Sequence, residues 1–478
     1  MSETDAAIGQ ALEAWDEEEA ARLVLEVHES ATLPPRRLVE RARQIDRNDL
    51  ALRILGDQSR PNRLGMLSLR KEMGEPVADE LLALADKGRP ALLETVSAFE
   101  MEGRADEAVA LLEARLADEP DWVEGHQSLA QLAWMGGHDD AAASFRDAIA
   151  AMPGNEVLRA AWLGTLKTMD DPEALDAGWA AAIADFPNSP LISMVGADLL
   201  SERGRYDEAD EQFRRLVNMQ DQAFDGARMR HLMRTGRYEG VLQVGQEALS
   251  RHGDGECWAW FGAALKALGH PHADWFFRGH DLFSEQRIDL EEEERAALAA
   301  KLRSLHHAAG PPFGQSPRGG TQTFGNLFKR RDPEIVAARA AIRRAVRAHV
   351  EALPPAEANH PFLAHRDARP IAMVGSWSIL LKGGGRHVSH IHSQGWLSSA
   401  LYVDLPDTLG SGDDAGSHDG WLQIGEPLIT GGKTIEPIAR IRPEPLKLAL
   451  FPSIFWHGTE PFSDGERLTI AFDMTPLR

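Results

Sequence analysis

A glycine recurs along the first half of this chain at a spacing near 34 residues. The positions are Gly103, Gly137, Gly204, Gly236 and Gly269, with steps of 34, 67, 32 and 33. The step of 67 spans two periods, with a degenerate block near Asp170-Asp171-Pro172 between them. Four of these glycines are followed five residues later by a small or apolar side chain: Ala108, Ala142, Ala209 and Val241. A fixed period of this size is a strong constraint, because each unit can bury its apolar face only against its neighbours and a stacked array follows. Glycine suits the end of a first helix, where a positive φ is needed. The small residue after it lets a second helix approach closely. Gly103-Arg104-Ala105-Asp106-Glu107-Ala108 and Gly204-Arg205-Tyr206-Asp207-Glu208-Ala209 are nearly one pattern, and Pro120 and Pro153 fall where one unit breaks before the next.

A helix, a glycine turn and a second helix per period resemble the tetratricopeptide repeat over residues 88–282. The resemblance implies a solenoid that recruits a protein or peptide partner. Residues 1–87 lack the signature, though Leu23, Val24, Val27 and Leu50, Leu52, Ile54 suggest helices, and divergent repeats or a cap are expected there. Leu282 to His307 reads as one more helix, acidic at its start (Asp289 to Glu294) and basic near its end (Lys301, Arg303), as the helix dipole favours. Residues 283–310 are thus expected to cap the array and link it onward. The Gly- and Pro-rich run from Gly310 to Gly320 cannot be helical, and it opens a C-terminal domain of residues 311–478.

Charge separates the two parts. The chain has 478 residues, 51 basic and 74 acidic side chains, and a net charge of −23. Residues 311–478 hold 18 basic and 17 acidic groups, leaving 33 basic and 57 acidic in the first 310. That field disfavours nucleic acid and favours basic or neutral protein partners; it also keeps a helical array soluble. The single cysteine, Cys257, excludes an intrachain disulfide and fits a reducing compartment. The N-terminus has no basic segment followed by an apolar core, and no apolar run reaches membrane-spanning length. A cytoplasmic protein with no membrane segment is expected.

Strand-like runs follow a helix over Pro333 to Ala352, which should pack on the sheet they form: Ile371 to Leu381, Trp396 to Leu405, Gly420 to Ile424, Leu446 to Phe451 and Leu468 to Met474. Without long helices between them, they suit an antiparallel jelly roll. The expected fold class is therefore multidomain α + β, an N-terminal all-α solenoid followed by a double-stranded β-helix with flanking helices. Gly383-Gly384-Gly385 lacks the Lys-Ser/Thr ending of a phosphate loop and is expected to be a flexible hairpin at a site mouth.

His390 and His392 stand one residue apart ahead of a strand, so their side chains can point the same way and share a metal. His457 follows Phe451-Pro452-Ser453, and Arg467 comes ten residues later in an apolar strand. A cation there needs an anionic partner or a solvent-facing position. This region resembles the 2-oxoglutarate- and Fe(II)-dependent oxygenases, in particular a bacterial branch with His-x-His and Phe-Pro-Ser-x-x-x-His segments. The resemblance implies Fe(II) and 2-oxoglutarate as cofactor and co-substrate, with His390 and His457 as iron ligands and Arg467 as the anchor of the 2-oxoglutarate carboxylate. Tyr402 matches a tyrosine that touches the same carboxylate, and Thr469 would assist Arg467 from its strand face. His392 departs from the family pattern, standing where a carboxylate ligand is usual. It can be a third ligand, an outer hydrogen-bond partner, or a bystander in a two-histidine site. Trp377, Trp396 and Trp456 flank the motifs and could wall the cavity, with aromatic core as the default reading. The implied activity is a dioxygenase that hydroxylates a protein or small-molecule substrate. A metal cupin independent of 2-oxoglutarate and an inactive repeat-protein adaptor are the alternatives.

Overall fold

The glycine period becomes helical pairs. A computed structural model describes residues 3–59, 61–169, 171–216, 218–368, 370–407, 409, 417–429 and 431–476. Gly103, Gly137, Gly204, Gly236 and Gly269 all hold φ between +62° and +76° at the ends of first helices. Ala108, Ala142, Ala209 and Val241 are buried within the turn or second helix that follows. The degenerate block is also helical, with Glu156–Thr168 and Pro172–Asp185 as its pair, the second capped by the Asp171 carboxylate. Asp170 lies outside the described residues. The N-terminal region forms shorter helices, among them Glu3–Glu13, Glu17–Ser30 and Pro35–Gln44, around their own apolar cluster.

Among the described residues nine strands form two sheets. They are β1 (Ser284–Arg287), β2 (Pro317–Gln322), β3 (Ile371–His387), β4 (Leu397–Asp404), β5 (Leu422–Ile424), β6 (Ala439–Ile441), β7 (Lys447–Pro452), β8 (His457–Thr459) and β9 (Glu466–Pro476). The large sheet runs β1-β7-β4-β9-β3-β2 and the small one β6-β5-β8, with antiparallel pairing throughout. This is the expected jelly roll. Helix Pro333–Ala352 lays Ile335, Ile342, Val346 and Val350 into one core with Leu448 and Leu450 of β7.

Two local expectations change. Ser284–Arg287, expected within a helix, is a strand that extends the large sheet beside β7, and the helix starts only at Glu292. Its side chains alternate between half-buried and exposed, so the sheet edge holds it through backbone bonds and not through an apolar face. The glycine run 383–385, expected as a hairpin, lies inside β3. A Cβ at Gly385 would sit 2.6 Å from the Lys382 carbonyl oxygen, so the close backbone approach there demands glycine.

The array and the barrel touch at several places. Phe276 and Phe277, after the last repeat, stack on Phe455 at 5.6 and 5.2 Å between ring centroids, contacts worth about 0.5–1.5 kcal/mol each beyond their burial. Trp456 packs on Trp260 at 4.4 Å and donates to the Ala259 carbonyl. Lys433 donates its amide to the Tyr238 hydroxyl and its ammonium to the Ala267 carbonyl. At the other end, Asp46 accepts from both Lys329 and Arg343. No helix among the described residues is long and apolar enough to cross a membrane.

Candidate metal centre and carboxylate clamp

Backbone geometry brings His390 and His457 together. They form an antiparallel bridge at the first residue of β8, and paired residues send their side chains to one face. The Nδ1 of His390 lies 2.9 Å from the Val388 carbonyl oxygen, and that of His457 lies 2.9 Å from the Phe455 carbonyl oxygen. The Nδ1 of His392 lies 2.5 Å from Oδ2 of Asp473. Carbonyl and ionised carboxylate oxygens only accept, so each Nδ1 carries the proton and each Nε2 is free to ligate. The three histidines offer ligand atoms within 4.8 Å of one another, and their ring centroids are 4.2, 5.0 and 5.1 Å apart. Burial pushes His390 down to about 4 and His457 well below the usual imidazole range. Both are then neutral at physiological pH, the form that binds metal.

Further along the same cavity lies Arg467, 1% exposed. Its Nη1 donates to the Gly420 carbonyl at 2.9 Å and its Nη2 to the Thr459 hydroxyl at 3.1 Å. Among the described residues its buried Nε has no hydrogen-bond partner, and neither has the hydroxyl of Tyr402, also 1% exposed. Burial raises the Tyr402 phenol to about 12 and lowers Arg467 from its usual value. A guanidinium that is held by neutral acceptors with its own Nε unsatisfied, beside a buried hydroxyl in the same state, is a costly arrangement, and a carboxylate would satisfy it. The donor set therefore fits 2-oxoglutarate at one end of the cavity and a histidine-bound metal at the other.

Thr469 is the register partner of Tyr402 and lines the cavity. The guanidinium, however, is held by Thr459 and not by Thr469. Of the three tryptophans, only Trp377 reaches the cavity. Trp396 stacks on Phe362 at 4.7 Å and Trp456 on Trp260, so both are packing residues. His387 lines the cavity too, its Nδ1 2.9 Å from the Ser316 hydroxyl. His360 is fully buried and satisfied by the amides of Phe362 and Leu363.

Two residues were not found by sequence reasoning. Thr459 sits two positions after His457, and nothing local marks it. Asp473 was findable. Along Arg467-Leu468-Thr469-Ile470-Ala471-Phe472-Asp473-Met474 side chains alternate between the strand's two faces, so Asp473 falls on the same face as Arg467, Thr469 and Ala471.

Residues 375–473 match the sequence model of the family described as "Putative 2OG-Fe(II) oxygenase". That stretch contains all three histidines, Tyr402 and Arg467, and the family is named for the metal and co-substrate that the donor set fits. No curated protein matches the chain. Among solved structures, the viral collagen prolyl hydroxylase of Paramecium Bursaria Chlorella virus-1 aligns at 12% identity over 41% of this chain and 97% of its own, with a TM-score of 0.28. A prolyl-4-hydroxylase from Pseudomonas putida aligns at 16% identity over 41% and 93%, with a TM-score of 0.27. PilW, a type IV pilus biogenesis factor, aligns at 18% identity over 42% and 90%, with a TM-score of 0.31.

Proposed function

We propose that the C-terminal domain is an active 2-oxoglutarate- and Fe(II)-dependent dioxygenase that hydroxylates a protein or small-molecule substrate, and that the repeats recruit a partner to it. One observation carries the enzymatic part. A single cavity holds three imidazoles with their Nδ1 atoms all engaged and, apart from them, a buried Arg467–Tyr402 pair with unpaired donors. His390, His392 and His457 would hold Fe(II) through Nε2, and Arg467 with Tyr402 would hold the distal carboxylate of 2-oxoglutarate. Bound together, these supply oxidation of a C–H bond by dioxygen, coupled to decarboxylation of the co-substrate to succinate.

The chain's own residues do the rest. The Val388 and Phe455 carbonyls fix the tautomers of His390 and His457. Gly420 and Thr459 aim the guanidinium before any ligand arrives, which lowers the ordering cost of binding. Leu422, Phe451 and Ile470 line the cavity with apolar surface and limit water around the charged groups. The test is formation of succinate from 2-oxoglutarate by the Fe(II)-loaded protein in air, compared with Arg467→Ala. The third histidine favours a second reading, a metal cupin that does not use 2-oxoglutarate, and metal-dependent activity without succinate would support that reading instead.

A further inference from the structure

Asp473 ties together three segments that are far apart in sequence. Its Oδ2 lies 2.5 Å from Nδ1 of His392, and its Oδ1 accepts from the Ser398 hydroxyl at 2.6 Å. Ser398 in turn accepts from the Ser453 hydroxyl, 2.8 Å away, because its one proton is already given to Asp473, and the Ser453 carbonyl accepts the His392 amide at 3.0 Å. The loop closes on itself: His392, Asp473, Ser398 and Ser453 fix both the backbone and the ring of one histidine. Ser398 and Ser453 are buried, at 1% and 0% exposure, and the Asp473 side chain is 14% exposed. This is a heavily supported carboxylate, and it has one titratable partner.

A histidine in place of a carboxylate ligand removes one negative charge from a metal centre. A carboxylate on the far nitrogen of that histidine restores it one step further out. Sharing of the Nδ1 proton increases the basicity of Nε2, so the imidazole becomes a stronger and more anionic donor. Neither of the other two histidines has such a partner, since each Nδ1 faces a neutral carbonyl. The compensation is thus confined to the position at which the chain departs from the family pattern.

We infer that Asp473 is a positioning residue of the metal centre, which orients His392 and supplies through it the negative charge that a carboxylate ligand would have given. The inference rests on the proposed metal centre and adds a role within it.

The experiment uses full-length protein without oxygen, titrated with Co(II), whose visible absorption reports the ligand set, and with Fe(II). Asp473→Asn should lower affinity for both by about 10–100-fold and shift the Co(II) bands. Asp473→Glu should recover part of the loss. In a His392→Ala background, Asp473→Asn should cost almost nothing more, because its route to the metal is gone. Equal losses from Asp473→Asn in both backgrounds would show a general structural effect and overturn the role, as would unchanged affinity and spectrum in the single variant. Should Asp473→Asn not fold, Ser398→Ala takes its place, removing the brace on Oδ1. It should shift the Co(II) bands in the wild-type background and not in His392→Ala, and the absence of any shift would overturn the role. Wild-type protein that takes up neither metal would instead overturn the metal centre itself, and this role with it.

Discussion

His390 and His457, 67 residues apart, each donate a backbone amide to the other's carbonyl at 2.9 Å. Their rings therefore meet because two chain segments are hydrogen-bonded as partners, and no side-chain rearrangement is needed to assemble the pair. Such an arrangement is preorganised for a metal, since the ordering cost falls on folding and not on binding.

The clamp should separate from the metal in a binding experiment. Arg467→Ala is expected to weaken 2-oxoglutarate binding by about 3 kcal/mol, roughly 100-fold, with Fe(II) affinity nearly unchanged. Arg467→Lys should recover only part, lacking the planar fork. Tyr402→Phe should cost about 1.5 kcal/mol of 2-oxoglutarate affinity while leaving the ligand-free protein as stable as wild type or more so, because it deletes a buried hydroxyl without a partner. Isothermal titration and thermal melts check both halves.

His392 allows a sharper exchange. Restoring the family's carboxylate with His392→Asp places it beside Asp473, and two neighbouring carboxylates repel. The double variant His392→Asp/Asp473→Asn should therefore bind Fe(II) more tightly than His392→Asp alone. The reverse order of affinities, measured anaerobically, would contradict the proposed geometry.

Acid should weaken the fold through histidines buried in the neutral form. Burial holds His349 at about 4, and the residue is 5% exposed. Unfolded, it titrates near 6.5, so the unfolded chain binds more protons between about pH 6.5 and 4, and stability falls as pH drops through that window. The effect reaches about 3 kcal/mol for this residue alone. Urea midpoints at pH 7.5 and 4.5 should differ less in His349→Gln than in wild type.

The repeats carry their own test. Asp198, 4% exposed, pairs with Lys167, Arg230 and Arg234, and these cations hold its carboxyl well below the usual range despite burial. Asp198→Ala leaves the buried Arg234 and the half-buried Lys167 and Arg230 to share only Glu202 and Glu256, and should destabilise the protein by about 2–3 kcal/mol. A denaturant titration showing a loss under 1 kcal/mol would disagree.

The sequence made some of this legible for physical reasons. Repeat glycines need positive φ and recur at a fixed spacing, so five positions outline the array, and the His-x-His pair reads out because side chains alternate along an extended segment. Strand β1 was hidden because Ser-Glu-Gln-Arg has no apolar alternation and depends on the edge of β7, a partner some 160 residues away. The Thr459 contact with Arg467 depends on the two sheets facing each other across the cavity. Asp473 was visible in the alternation of β9, but its role appears only when the ring of His392 is placed against it. Trp396 and Trp456 take the aromatic packing that is the default for such side chains, because nearness in sequence to His392 or His457 does not determine which face a side chain takes.

The proposed site holds one Fe(II) on His390 and His457 beside a bound 2-oxoglutarate. The most direct measurement is visible absorption of the protein without oxygen on addition of Fe(II) and then 2-oxoglutarate. The account predicts a weak charge-transfer band that appears only with both present and is abolished in His390→Ala and in His457→Ala. A band of wild-type intensity and affinity in both variants would contradict it.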